Sequence, residues 1–138
     1  MPDEKKGVLW ENEEMSLQSA FKPAIPRTEG FHLVLLQKKD VPSPWSNPEL
    51  YARMSRVAAI TSGALIELGM ADWANIQYNG NLDAGRKPKM HIHIFARLKT
   101  GDDWGGPLKL PRSEGPYGND PLTDEEVARL RSALVNRL

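Results

Sequence analysis

Two rhythms of apolar and polar residues run along this chain, and each predicts an element. Leu50, Met54, Val57, Thr61, Leu65 and Leu68 recur every three or four positions, the spacing of one helical face. Asn47 can cap the first turn, Pro48 suits the first helical position and Gly69 supplies the stop. The pattern predicts a helix of about twenty residues. A second stripe, Val127, Leu130, Leu134 and Leu138, follows Thr123 and Glu126, whose spacing is that of a capping box. Between the helices the rhythm shortens. Met15 to Phe21 reads as a short strand, Phe31 to Gln37 (FHLVLLQ) as a nearly continuous apolar, central strand buried on two faces, Trp73 to Tyr78 as a third strand and Lys89 to Leu98 as a fourth. Proline and glycine fall between these segments: the turn from Pro23 to Gly30, the break VPSPWSNP, the loop from Asn79-Gly80 to Pro88 and an irregular stretch from Thr100 to Pro121. Strand, strand, long helix, strand, strand, helix is an α+β order. Only one connection holds a long helix, so the sheet is expected to be antiparallel. The whole chain, 1–138, is expected to form one domain.

The fourth strand, KMHIHIFAR, carries the candidate chemistry. Side chains alternate faces along a strand, so Lys89, His91, His93, Phe95 and Arg97 share one face while Met90, Ile92, Ile94 and Ala96 share the other. The second set is core-like and pins the register. The first set holds two imidazoles ~7 Å apart by the strand rise, with a cation at each end of the row. Neutral imidazole is a nucleophile and a base near pH 7, and imidazolium is an acid and a double donor. Flanking cations favour neutral imidazoles and attract anions, so the row suits a phosphate or another anionic substrate. The third histidine, His32, is expected to be a packing or hydrogen-bonded residue. The plain alternative for the pair is two histidines on a solvated strand face.

Composition narrows the partners. Lys plus Arg equals Asp plus Glu at 18 each, so no net field draws the chain to nucleic acid or to a membrane. Any anion must be held by a local site. No cysteine is present, which removes disulfides, zinc–thiolate clusters and thiol nucleophiles and agrees with a reducing cytoplasm. Met1 to Gly7 is charged, without the apolar core of a signal peptide, and no apolar run approaches membrane-spanning length. A cytoplasmic location is expected. A metal site is the rival to the phosphate reading. Gly85, five residues and then His91-Ile92-His93 resembles the opening of the cupin motif, whose histidines hold a metal. That motif next needs a glutamate, which this sequence lacks, and a helix after Asn47 does not belong inside a jelly roll. No metal or other cofactor is expected.

A wider resemblance covers about residues 10 to 98. The stretch SAFKPAIPRTEGFHLVLLQK, the loop YNGNLDAG and the strand KMHIHIFAR together resemble the histidine-triad (HIT) superfamily, whose signature alternates three histidines with apolar residues. The tail LKLPRSEGPYGNDPLTDEEVARLRSAL is similar to that of bacterial HIT-like proteins labelled diadenosine tetraphosphate hydrolases. The resemblance implies an antiparallel sheet carrying a long helix, and a homodimer. It implies hydrolysis or transfer at a phosphoanhydride or phosphoramidate bond of a small-molecule nucleotide, through a covalent nucleotidyl-histidine. With Lys89, His91 and His93 in the three signature positions, the nucleophile's role falls on His91, and contact with the phosphate and leaving group on His93. Asn79 and backbone N–H groups near Gly85 would hold the phosphate, with Lys89 and Arg97 as further substrate-binding cations. The departures are plain: Lys89 stands for a histidine, Pro23 for a ribose-binding aspartate and Arg86 for a frequent glutamine. A non-catalytic nucleotide- or anion-binding module on the same fold is the alternative they raise.

Overall fold

The computed structural model describes residues 6–80, 87–111 and 118–138. Its elements are β1 (Val8–Glu11), β2 (Met15–Ser19), β3 (Gly30–Gln37), α1 (Pro48–Glu67), β4 (Trp73–Gln77), β5 (His91–Arg97) and α2 (Asp124–Leu134), with a short 3-10 turn at Pro44–Ser46. The strands form a five-stranded sheet in the order β1-β2-β3-β5-β4, antiparallel at every pairing. The expected α+β architecture and antiparallel sheet are present.

The cross-strand register sorts the side chains. Leu35 lies opposite both Leu17 and Ile92, Leu33 opposite Ile94, and Phe31 opposite Ala96. These side chains join Leu50, Met54 and Leu65 of α1 in one buried cluster. Full burial of each such aliphatic chain contributes roughly 1.5–3 kcal/mol, so the apolar half of β5 fixes which way its histidines face. α1 begins as the sequence implies: the Asn47 side chain accepts the Leu50 N–H at 3.1 Å, with Pro48 next. Gly69 follows at φ +73°, a left-handed conformation that glycine enters without Cβ strain. α2 carries the reciprocal capping box of Thr123 and Glu126. Its stripe of Val127, Leu130 and Leu134 is buried.

Two features differ from expectation. β1 has no counterpart in the sequence reading; it is a four-residue edge strand paired to β2. β3 is central but not buried on both faces, since Val34 and Leu36 are only half-buried. That exposed face of the sheet is the one bearing His91 and His93.

Two local devices fix β5 against β3. Gly30 has φ +147°, and a Cβ there would stand 1.7 Å from the Ala96 carbonyl oxygen, so the strands approach as only glycine allows. At the other end the buried Gln37 amide closes the β3 turn: its Nε2 donates to the carbonyls of Val41 and Met90 at 2.8 and 3.3 Å. Its Oε1 accepts the N–H of Lys39 and Val41. The Met90 N–H returns to the Val41 carbonyl at 2.9 Å. A fully satisfied buried amide gives one geometry, and this one holds the backbone just before His91.

Candidate functional site

His91 and His93 project from β5 onto the exposed face, and His32 projects beside them from β3. The strand pairing sets Val34 opposite His93 and His32 opposite Phe95, so His32 is the diagonal neighbour of His93. Their ring centroids are 5.1 Å apart, and those of His91 and His93 4.7 Å. Phe95 stacks on His32 at 4.3 Å and forms the apolar floor at that end.

The hydrogen bonds define a protonation pattern. The Ala24 N–H donates to His32 Nδ1 at 3.2 Å, so a neutral His32 carries its proton on Nε2. That N–H donates to His93 Nδ1 at 2.9 Å. His93 in turn carries its proton on Nε2, which is buried and has no protein partner. His91 is held differently. Its Nδ1–H donates to the Lys89 carbonyl at 2.9 Å, which leaves the Nε2 lone pair unoccupied. The two signature histidines therefore present opposite faces of imidazole chemistry, an acceptor at His91 and a donor at His93.

Electrostatics keep the buried pair neutral. Burial, reinforced by the neighbouring His93 and His91, pushes the His32 pKa down to about 3. Burial and then His91 push His93 down to about 4. A charged imidazole here would lose its hydration without gaining a carboxylate partner.

One cavity of about 430 Å³ collects His32, His91, His93 and Asn79 on its lining, a size ordinary for small-molecule sites. Gln77, at the end of β4 and opposite His93, donates its Nε2 to Asn79 Oδ1 at 3.0 Å. The Asn79 amide is thereby oriented with its NH2 group free to donate. The turn bearing Phe21, Lys22 and Ala24 closes one side, and Leu110 and Pro111 of the tail cross another. That turn is tied to α2 by Arg27, which donates to Glu126 Oε1 at 2.7 Å. The Arg27 guanidinium and the Thr123 hydrogen bonds hold the Glu126 carboxyl down at about 2.

Of the residues singled out from the sequence, His91, His93 and Asn79 come together. Lys89 sits at the strand's start with its side chain exposed, and its carbonyl is what touches the site. Arg97 is elsewhere: its guanidinium donates to the carbonyls of Asp103 and Gly106 at 2.7 and 3.0 Å. Gly85 and Arg86 lie outside the described residues. His32 is hydrogen-bonded as expected, yet its partner is a site histidine. Period-two alternation in FHLVLL carried the signal, for it sets His32, Val34 and Leu36 against the buried Phe31, Leu33 and Leu35. Gln77 carried no signal, because its role needs the fold of the β4 end. Among the described residues no group of three potential ligands is arranged to hold a metal ion.

No protein-family model matches the sequence, and no curated protein does. Solved structures do match over nearly the whole chain. A histidine triad protein from Bradyrhizobium japonicum is 23% identical with a TM-score of 0.66, covering 98% of this chain and 92% of that one. A zinc-bound histidine triad family protein from Mycobacterium smegmatis is 25% identical at TM-score 0.65, covering 94% and 84%. A hypothetical histidine triad nucleotide-binding protein from Sulfolobus tokodaii is 18% identical at 0.61, covering 98% and 85%. The fold that the sequence resemblance implied is the fold found.

Proposed function

We propose that this chain, which has the histidine-triad fold, binds a small-molecule nucleotide or related phosphoryl compound and transfers its phosphoryl-linked group through His91. The observation that carries this reading is the hydrogen bond from His91 Nδ1 to the Lys89 carbonyl. It fixes the tautomer whose Nε2 is a nucleophile, and it uses the backbone of residue 89 rather than its side chain. The substitution of lysine in the signature's first position therefore leaves the nucleophile oriented.

The reaction proceeds in two displacements. The His91 Nε2 lone pair forms an N–P bond as the P–O bond to the leaving group breaks, and that oxygen departs with the electron pair. Water then forms a new O–P bond, the N–P pair returns to Nε2 and the water proton passes to solvent. Such covalent catalysis divides one hard displacement into two easier ones. His93 Nε2–H and the Asn79 NH2 hydrogen-bond the phosphoryl oxygens as charge shifts onto them. His93 receives a hydrogen bond on Nδ1 from His32, which ends at a backbone N–H. A neutral donor so placed stabilises charge but cannot surrender its proton. Leaving groups that depart as anions, such as the phosphate of a dinucleoside polyphosphate, are favoured over amines that must be protonated first. Lys89 and Lys22 at the mouth draw the anion in; a backbone contact near Gly85 completes the phosphate cradle. The chain works as one domain, in the cytoplasm.

A second copy of the chain pairs along the free edge of β4, where Trp73 and Ile76 are exposed at 62% and 45% and the outer backbone groups lack a strand partner. Sedimentation at the mass of one chain at micromolar concentration overturns that assembly. The catalytic reading is tested with labelled diadenosine tetraphosphate: an acid-labile, alkali-stable adduct is expected, absent from His91→Gly. Binding without an adduct supports the non-catalytic module instead, and neither binding nor adduct defeats the nucleotide reading.

A further inference from the structure

The cavity's two ends differ in chemistry. The histidine end holds the acceptor at His91 and the donors at His93 and Asn79. The opposite end is walled by Ala20, Phe21, Val34, Leu36, Leu110 and Pro111. Its backbone groups are already engaged. The Ala24 N–H donates to His32, Pro23 has no N–H, and the Pro23 carbonyl accepts the Asn119 Nδ2 at 3.0 Å. The Gln18 Nε2 donates to Ser16 Oγ at 3.0 Å, which leaves its Oε1 as a single side-chain acceptor. No Asp or Glu lines the cavity among the described residues.

A sugar carries adjacent hydroxyls, two donors that a protein reads with paired acceptors, a carboxylate above all. Burying them against apolar walls with one amide oxygen between them leaves a hydroxyl stripped of water and unpaired, a net loss. A flat ring or alkyl group gains from the same walls. Resting on the reading of the histidine end as a phosphoryl site, we infer that the substrate's organic group is an aromatic or alkyl moiety without a vicinal diol. The ribose of an ordinary nucleotide is tolerated rather than recognised.

The test uses the intact chain and four probes: inorganic phosphate, phenyl phosphate, AMP and 2′,3′-dideoxy-AMP. Binding is followed through the imidazole 15N–1H NMR signals of His91 and His93. Dideoxy-AMP is expected to bind as tightly as AMP or up to about tenfold more tightly, because it has no hydroxyls to strand. Phenyl phosphate is expected to bind more tightly than inorganic phosphate. A site built for hydroxyls rejects analogues that lack them by large factors, so AMP binding tenfold or more tightly than dideoxy-AMP overturns the inference while the phosphoryl reading stands. Silence of both histidines toward all four probes defeats the phosphoryl reading itself.

Discussion

The outward row of β5 has two ends that look alike in sequence and behave oppositely in structure. At one end His91 and His93 keep ring nitrogens without protein partners beside a cavity. At the other Arg97 turns its guanidinium onto the carbonyls of Asp103 and Gly106, binding the 101–106 turn to the strand. Glu29 secures the same turn by accepting the Asp102 N–H at 2.7 Å. Charge and facing were equal credentials for both ends. What separates them is satisfaction: a polar group already paired to backbone builds structure, and one left unpaired next to a void is available to a ligand.

The sharpest way to break this comparison is to remove the acceptor end. His91→Gly is expected to abolish adduct formation, a loss beyond the ~10²–10⁴-fold of a missing general acid or base, with far-UV circular dichroism unchanged. If the adduct survives in His91→Gly and disappears in His93→Ala, the nucleophile is His93. His93→Ala is expected to cost about 10²–10³-fold in the rate of adduct formation, the scale of one transition-state hydrogen-bond donor. Single-turnover measurements at saturating substrate separate that loss from weaker binding.

Acidity probes the same end through stability. His93 and His32 titrate near 4 and 3 when folded, below the ordinary value near 6.5. Between those values the unfolded chain binds the extra protons. The stabilisation is therefore complete above about pH 6.5 and is lost as pH falls through 4 and then 3, at up to about 1.4 kcal/mol per pH unit for each proton. Urea midpoints at pH 7, 5.5 and 4.5 should fall in that order, and more gently in His32→Phe. A flat profile would mean that the pair is not held neutral. The smallest effect belongs to the arginine end. Arg97→Met should lower stability by about 1–3 kcal/mol through stranded carbonyls, yet leave adduct formation within about threefold. A large kinetic loss with an unchanged thermal midpoint would make Arg97 a substrate contact after all.

Much of the scaffold was legible because its signals are local. Asn47, Pro48 and Gly69 mark α1 by chemistry that acts within one turn, and Thr123 with Glu126 does the same for α2. The alternation in β5 identified the histidine face, since four consecutive alternate positions are strongly apolar. β1 was not legible: VLWE is too short to show a period and becomes a strand only through its pairing with β2. The site was half legible. His91, His93 and Asn79 could be read from one segment and the loop before it, whereas His32 required knowing which strand lies beside β5. The reading of β3 as buried on both faces concealed it. Arg97 was legible as a charge, but its partners are carbonyls of an irregular turn whose path no periodicity foretells.

The hydrogen bond between His91 and the carbonyl of Lys89 has a consequence for how such sites vary. A main-chain oxygen is supplied by every amino acid, so the side chain at 89 is released from orienting the nucleophile. It is free to drift, or to be recruited for charge, solubility or a new ligand, without disturbing the ring two residues on. A substitution scan at 89 should thus show broad tolerance for adduct formation next to near-intolerance at 91, a step in mutational freedom across three adjacent positions of one strand.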